Sequence, residues 1–424
     1  MGVGLNTFYH GDCLFVLNHD ITPGTVDLIY LDPPFFTGQI QKGTKKWQPG
    51  AMEVSFEDSK RFWKEKGISI YAPEWLKHIA IKRPDFASYL YYMMERLRAC
   101  HKVLKKTGSI YLHCDYRASH YLKMVMDEIF DDQNFRNEII WCFTGPSRQK
   151  KDFPDKHGTI LRYSKTDDYY FNPEAIRIPY KKSNIATGRT SVVGRAKDED
   201  LLKLDIQGKL PEDWWSDIAT VGYKHSEITG YPTQKPEALL ERIIKASSNE
   251  GDLVLDPFCG CGTAIVVAHK FNRRWIGIDI NKTAYEITKG REVQMPLGMK
   301  NEFAKARYIS RDLEEISQMD AQEFETWVNE FYKATKPSPD AGVDGVTKDG
   351  IPIQTKIGEV DYGIVSQFLS DAQLHPKVPQ PVRQMLLISQ AGFDDSARKR
   401  VFEIKAKFGI QIEFKEPKHM LELT

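Results

Sequence analysis

Two short segments carry residue types that could do chemistry together, and the first is Asp32-Pro-Pro-Phe35. Asp32 and the carbonyl of Pro33 can accept hydrogen bonds from an amino group, and the ring of Phe35 can stack on a flat heterocycle. Pro33 and Pro34 fix the backbone that aims these groups. The set suits a nucleobase that has been turned out of its helix. A proline-stiffened turn with a capping aspartate would explain the same residues.

The second segment is Asp256-Pro-Phe-Cys-Gly-Cys-Gly-Thr263, between a predicted strand and a predicted helix. Gly260 and Gly262 permit a tight turn and a close approach of backbone to a ligand. The start of the helix adds unpaired N–H groups. The next predicted strand ends in Asp279, whose carboxylate suits the two hydroxyls of a ribose. An ordinary glycine-rich turn between a strand and a helix is the alternative interpretation.

Apolar runs and helical spacing predict the elements that must position these segments. The predicted strands are Val26 to Leu31, Ser109 to His113, Asn137 to Cys142, Leu253 to Leu255 and Trp275 to Ile278. The predicted helices are Ser88 to Leu104, Ala118 to Phe130, Pro236 to Ser247 and Thr263 to Lys270. Strands that alternate with helices indicate an α/β fold with a mostly parallel sheet. Residues 36–85 interrupt this pattern and are predicted to form a long insertion or loop.

Composition limits the class of protein. The chain has 424 residues, of which 41% are hydrophobic, and its net charge is +1. This length predicts two or three domains. No apolar run reaches the roughly 18 residues of a membrane helix, and the first residues lack the pattern of a signal peptide. Six cysteines are too few for a disulfide scaffold. We therefore expect a reduced, cytoplasmic protein without membrane contact, in a prokaryotic cell or encoded by a phage.

The near-zero net charge hides an uneven distribution. Residues 146–197 hold 12 basic and 5 acidic side chains, whereas residues 301–424 hold 16 basic and 20 acidic ones. The basic cluster Arg148, Lys150, Lys151 and Lys156 suits contacts with phosphates. A solvated loop is the usual meaning of such a run. Trp214 and Trp215, farther along, are interpreted as core residues.

The two chemical segments occur in an order that resembles the β class of amino-DNA methyltransferases, which use S-adenosylmethionine. Four further segments match that class in sequence order: Gly11-Asp12, Gly108 to Asp115, Asn137 to Trp141 and Tyr231 to Pro236. The resemblance covers residues 5–290. It implies a Rossmann-like sheet with an inserted target-recognition region at about 143–225. It also implies double-stranded DNA as the substrate, and a homodimer is compatible with it.

The resemblance assigns roles to residues by position. Asp32, Pro33, Pro34 and Phe35 are expected to hold the target base. The residues expected around the cofactor are Asp12, Thr233, Lys235, Asp256, Phe258, Gly260, Gly262, Thr263 and Asp279. Within the class, aspartate at the first position of the Asp32 motif favours the N6 amino group of adenine. The N4 amino group of cytosine stays an alternative, and so does a non-catalytic DNA-binding protein. A dehydrogenase is disfavoured because it leaves the Asp32 motif unexplained.

The C-terminal segment carries a second signal. Two strands joined by a turn would bring Asp344, Gln354 and Lys356 together, with Glu325 as an upstream acid. Such a set can hold Mg²⁺, with Asp344 as the metal ligand, and steady a transition state of phosphodiester cleavage. It resembles the Mrr-type branch of restriction-endonuclease-like folds. A polar β-hairpin that recognises DNA or a partner is the alternative.

The expected organisation is therefore a methyltransferase domain at 1–300, a linker at 301–317 and a smaller α/β endonuclease-like domain at 318–424. We expect a DNA adenine methyltransferase of a restriction–modification or phage-defence system. A bifunctional enzyme that also cleaves DNA with Mg²⁺ is an alternative.

Overall fold

The computed structural model describes residues 6–42, 55–56, 58–69, 72–145, 150–180, 208–221, 227–291, 302–305, 319–332, 334–337 and 342–417. The chain divides into two compact units, residues 1–304 and 305–424. Most of the predicted linker lies outside the described residues. None of the helices within the described ranges is long and apolar enough to cross a membrane.

The first unit alternates strands and helices. Its strands are β1 (Thr7–His10), β2 (Val26–Leu31), β3 (Gln41–Lys42), β4 (Ser55–Phe56), β5 (Leu104–Cys114), β6 (Phe135–Cys142), β7 (His157–Ser164), β8 (Trp214–Trp215), β9 (Leu253–Asp256), β10 (Arg274–Asp279) and β11 (Glu302–Lys305). Its α-helices are α1 (Cys13–His19), α2 (Lys60–Lys66), α3 (Glu74–Lys82), α4 (Pro84–Val103), α5 (Ser119–Phe130), α6 (Glu237–Ser247), α7 (Thr263–Lys270) and α8 (Lys282–Gly290).

Nine of these strands form one sheet in the order β11-β1-β10-β9-β2-β5-β7-β6-β8. Strands β1, β10, β9, β2 and β5 pair in parallel, whereas β7 runs antiparallel to both β5 and β6. The middle strands are buried on both faces, which is why they appear in the sequence as continuous apolar runs. The predicted α/β fold with a mostly parallel sheet is confirmed.

The sequence located the central strands more accurately than the segments between them. The prediction for β2 matches the observed bounds, and so does that for α7. Residues 36–85, however, contain α2 and α3 in addition to loops. Strand β7 lies within the predicted target-recognition region, so part of that region belongs to the central sheet. Its apolar residues are flanked by His157 and Arg162, which shortened the apolar run that marks a strand.

The second unit has its own sheet and core. Its strands are β12 (Gly345–Val346), β13 (Pro352–Lys356), β14 (Gln384–Ser389) and β15 (Gln411–Lys415), in that spatial order. The first pair is antiparallel and the other two pairs are parallel. The helices are α9 (Ala321–Phe331), α10 (Tyr362–Leu374) and α11 (Asp395–Phe408). Phe368, Leu387 and Ile404 are buried in its core.

Candidate active site

A cavity of about 440 Å³ lies in the first unit, and both chemical segments line it. This volume falls within the range of about 300–1,000 Å³ that is typical of small-molecule sites. All four residues predicted to hold a base line the cavity, and so do the residues predicted around a cofactor, except Gly262. The fold therefore joins two motifs that lie more than half the chain apart.

Strand order explains this meeting. Strands β10, β9 and β2 are neighbours and run in parallel, so their carboxyl ends meet at one edge of the sheet. Asp279 ends β10, Asp256 ends β9 and Asp32 directly follows β2. Three carboxylates thus lie around one cavity because of the topology.

Burial disfavours the charged forms of these carboxylates. It raises the pKa of Asp32, and it raises that of Asp256 well above the ordinary value. The pKa of Asp279 is raised to about 6 for the same reason. A cation bound in the cavity would offset this cluster of negative charge. A ligand with a sulfonium and an ammonium group fits that requirement, so the residues present suit S-adenosylmethionine.

The Asp32 carboxylate has a cationic partner that the sequence assigned elsewhere. Lys235 Nζ donates to Asp32 Oδ2, and it also donates to the carbonyl of Thr233 at 3.1 Å. The same ammonium lies 5.2 Å from the centre of the Phe35 ring. Lys235 therefore contacts the predicted base-binding motif, in addition to lining the predicted cofactor cavity.

The glycine-rich turn is shaped by contacts with two other segments. Gly260 has φ +51°, and a Cβ there would come within 3.1 Å of the Tyr231 ring. Its N–H donates to Asp279 Oδ2 at 2.7 Å, while the N–H of Asn281 donates to Asp279 Oδ1 at 2.8 Å. These bonds fix the Asp279 carboxylate at the end of β10.

Gly262 has a packing role in the structure. It has φ +80° and precedes α7, and a Cβ there would lie 2.7 Å from the methyl group of Thr288 on α8. The missing side chain lets the turn approach α8, so Gly262 shapes the loop from behind.

Asp12 belongs to a buried ion pair that the sequence analysis missed. One of its oxygens accepts from the N–H of Leu14 and thereby caps α1, and the other accepts from Arg96 at 2.5 Å. Arg96 is only 4% exposed in its side chain and lies over the ring of Tyr92. An arginine on the apolar face of α4 was the available signal, because a buried arginine needs a carboxylate.

The segment 36–85 supplies part of the cavity wall, which its predicted loop character did not indicate. Phe62, Trp63 and Lys66 of α2 line the cavity. Asp58 is fully buried and accepts from the indole N–H of Trp63 at 2.7 Å. It also accepts from the N–H and the hydroxyl of Thr37, each at 2.7 Å. Asp58 thus holds the loop that follows Phe35 against α2.

The register of the strands locates the predicted basic loop. Asp32 follows Leu31, which pairs with Leu112, and the next residue of β5, His113, pairs with Ile160 of β7. Ile160 in turn pairs with Ile139 of β6, and β6 continues for three more residues. The loop after Cys142 therefore starts roughly 10 Å beyond the level of Asp32, and three strands or about 14 Å to its side.

Of the predicted DNA contacts in this loop, Arg148 lies outside the described residues. Lys150 and Lys151 are exposed, and Lys156 is half-buried. Trp215 is buried as predicted, but the prediction for Trp214 was wrong, because that side chain is 49% exposed on the edge strand β8.

The predicted nuclease residues come together only in part. Strand β13 carries Gln354 and Lys356, but Oδ2 of Asp344 accepts from both the N–H and the hydroxyl of Thr355. Glu325 pairs with Lys336 at 2.6 Å. Within the described ranges no group of three or more His, Cys, Asp or Glu side chains could hold a metal ion. The donors in this arrangement do not fit a bound Mg²⁺.

Comparisons with known proteins agree with the geometry of the first unit. The family model of N6- and N4-specific methyltransferases, described as DNA methylase, matches residues 26–290. The type II methyltransferase M.BglII of Bacillus subtilis is 30% identical over 348 residues, which cover 80% of this chain and 82% of that protein. The DNA adenine methyltransferase YhdJ of Escherichia coli is 31% identical over 277 residues, covering 65% and 78%. A solved DNA modification methylase of Thermus thermophilus, complexed with S-adenosyl-L-methionine, aligns with a TM-score of 0.42 at 18% identity, covering 71% and 98%.

Proposed function

The chain belongs to the family of N6- and N4-specific DNA methylases, and from this premise we propose that it methylates the N6 amino group of adenine in double-stranded DNA. The methyl donor in this proposal is S-adenosylmethionine. The observation that carries it is the single cavity lined by both Asp32 to Phe35 and Asp256 to Thr263. One cavity of this kind holds a base and a methyl donor side by side, as direct transfer requires.

The proposed roles follow the positions of the residues around the cavity. The turn with Asp256, Phe258, Gly260 and Thr263 would surround the methionine end of the cofactor, and Asp279 would hold the ribose. Each oxygen of Asp279 accepts one backbone N–H, which leaves a second lone pair on each for a ribose hydroxyl. Asp12, fixed by Arg96, would lie near the adenine ring. Thr233 and Lys235 would approach the cofactor carboxylate.

The chain's own residues would activate the amino group. The cofactor supplies an electrophilic methyl group on a sulfonium. Oδ1 of Asp32 is buried and has no hydrogen-bond partner among the described groups, so it offers an acceptor to the target amino group. Together with the Pro33 carbonyl, it would draw the nitrogen out of conjugation with the ring. Phe35 would stack on the extruded base, whose removal from the duplex costs a few kcal/mol.

Adenine is favoured over cytosine on two grounds. Asp32 occupies the first position of the motif, and YhdJ, 31% identical over 277 residues, is named as an adenine methyltransferase. Transfer to the N4 amino group of cytosine is the second candidate within the same family. The loop after Cys142, with exposed Lys150 and Lys151, would contact the phosphates beside the extruded base. The similarity to M.BglII supports a place in a restriction–modification or phage-defence system.

Modification-detecting sequencing of DNA from cells that express this chain tests the proposal. We expect N6-methyladenine at one short sequence, and N4-methylcytosine there would replace adenine by cytosine. Asp32→Ala should abolish the modification while cofactor binding, measured by calorimetry, is retained. Full methylation by this variant would overturn the assignment of the site.

Cleavage of DNA by the second unit is the other function that the sequence raised. One observation favours it, since Oε1 of Gln354 is buried without a hydrogen-bond partner among the described groups. The engagement of Asp344 by Thr355 and of Glu325 by Lys336 opposes it. We therefore leave cleavage out of the proposed function. Mg²⁺-dependent cutting of unmethylated DNA that is lost in Lys356→Ala would add it.

A further inference from the structure

His113 lies directly behind Asp32 and is held there by its surroundings. Its side chain is 2% exposed, and its Nδ1 atom lies 3.0 Å from the hydroxyl of Tyr30. A Cβ on Gly158 would come within 2.6 Å of Nε2, so the absence of a side chain on β7 makes room for the ring. The ring centres of Phe35 and Trp141 lie 5.6 and 5.8 Å from that of His113. The imidazole is therefore fixed beneath the base-binding motif.

The two oxygens of Asp32 have different neighbours. Oδ2 accepts from the ammonium of Lys235. Oδ1 is buried, has no hydrogen-bond partner among the described groups and lies 3.8 Å from His113 Nδ1. A movement of about 1 Å would bring these two atoms to hydrogen-bond distance. Oδ1 thus lies between the space for the target amino group and a buried imidazole.

The protonation states of these groups suit a proton acceptor. Burial, together with the positive charge of Lys235, holds the pKa of His113 well below its ordinary value, so the ring is neutral near pH 7. Burial also raises the pKa of Tyr30, which therefore keeps its hydroxyl proton and donates it to Nδ1. Lys235 is itself protonated and paired, so it has no site for another proton.

We propose that His113 takes up, by way of Asp32, the proton that the target amino group loses on methylation. This inference rests on the proposed function and adds a residue to it. The amino nitrogen forms a bond to the methyl carbon, and the electrons of the broken carbon–sulfur bond leave on sulfur. The N–H electron pair returns to nitrogen as its proton passes to Asp32 Oδ1. That proton then moves to His113 Nδ1, the carboxylate is restored, and the Tyr30 hydroxyl turns from donor to acceptor.

The matched variants are His113→Asn, which keeps a hydrogen-bonding group near the Nδ1 position, and His113→Gly, which leaves room for free imidazole. Single-turnover transfer from tritiated S-adenosylmethionine to unmethylated genomic DNA gives the rate, and calorimetry gives cofactor binding. We expect both variants to bind the cofactor as the unaltered chain does. We expect His113→Asn to lose roughly 10²-fold in rate, the usual size of a general-base contribution. Imidazole should restore much of the rate of His113→Gly. His101→Asn, at a half-buried histidine outside the cavity, serves as the control.

The outcomes separate this inference from the function on which it rests. A His113→Asn rate within threefold of the unaltered chain would overturn it. A slow His113→Gly that imidazole does not restore, despite normal cofactor binding, would also overturn it, since the ring would then serve packing alone. If His113→Gly does not fold, His113→Asn decides. If the unaltered chain transfers no methyl group to any DNA, the proposed function itself fails.

Discussion

Lys235 donates a hydrogen bond to Oδ2 of Asp32, although 203 positions separate the two residues in the chain. The side chains are only 11% and 16% exposed. In a buried pair, loss of one partner leaves the other charge uncompensated. The segment before α6 and the loop after β2 therefore act as one unit, and the predicted cofactor segment directly influences the predicted catalytic carboxylate.

Lys235→Met should shift the pH dependence of methylation. Burial raises the pKa of Asp32, and Lys235 opposes that rise. Without the ammonium the pKa rises further, so the accepting carboxylate is lost at a higher pH. We expect the rate at saturating cofactor to fall more at pH 6 than at pH 8, as measured in single turnovers. Lys235→Arg, which keeps the charge, should retain the original profile. An unchanged profile in Lys235→Met contradicts the coupling.

Asp279→Asn should change how stability depends on pH. The folded-state pKa of Asp279 is about 6, above the ordinary value of 3.8, so its ionisation destabilises the ligand-free fold. This contribution is absent at low pH and grows as the pH rises through 6. Asparagine does not titrate, so the variant should gain on the unaltered chain by roughly 1 kcal/mol between pH 5 and pH 8. Urea denaturation at both values measures the difference, and a difference that is independent of pH contradicts the prediction.

Gly262→Ala should destabilise the first unit through a specific contact. The new Cβ would lie 2.7 Å from Cγ2 and 2.9 Å from Oγ1 of Thr288. Overpacking of this kind costs about 1–3 kcal/mol in addition to the strain of a positive φ. Gly251→Ala is the matched control, because Gly251 has φ +81° and nothing within 4 Å of its Cβ position. Thermal denaturation should show a larger loss for Gly262→Ala, and Thr288→Ala should recover part of it.

Replacement of Lys150 and Lys151 by alanine should weaken binding to duplex DNA of any sequence. Each phosphate contact that is lost lowers the magnitude of the salt dependence of log K by about 0.9. Fluorescence anisotropy at several salt concentrations measures this slope. Lys106→Ala is the control, since this exposed lysine lies near the start of β5, at the opposite end of the sheet. Equal slopes for all three proteins would exclude the loop from the DNA contact.

Sequence patterns were most informative where local rules dominate. The apolar run of β2 and the turn around Gly260 were identified because strands buried on both faces and tight turns restrict residue type strongly. Strand β7 was missed because polar residues break its apolar run. The helices in 36–85 were missed for the related reason that short amphipathic helices depend on packing for their stability.

The sequence by itself determined the two chemical segments and their order, and with them the family. The tertiary structure decided which distant charges meet. The pairs Lys235–Asp32 and Arg96–Asp12 join residues 203 and 84 positions apart. Likewise, Asp58 holds Thr37, and His113 lies behind Asp32, through side-chain contacts that no local spacing encodes. The physical reason is that strand order brings these residues to one sheet edge, where burial makes each charge depend on its neighbours.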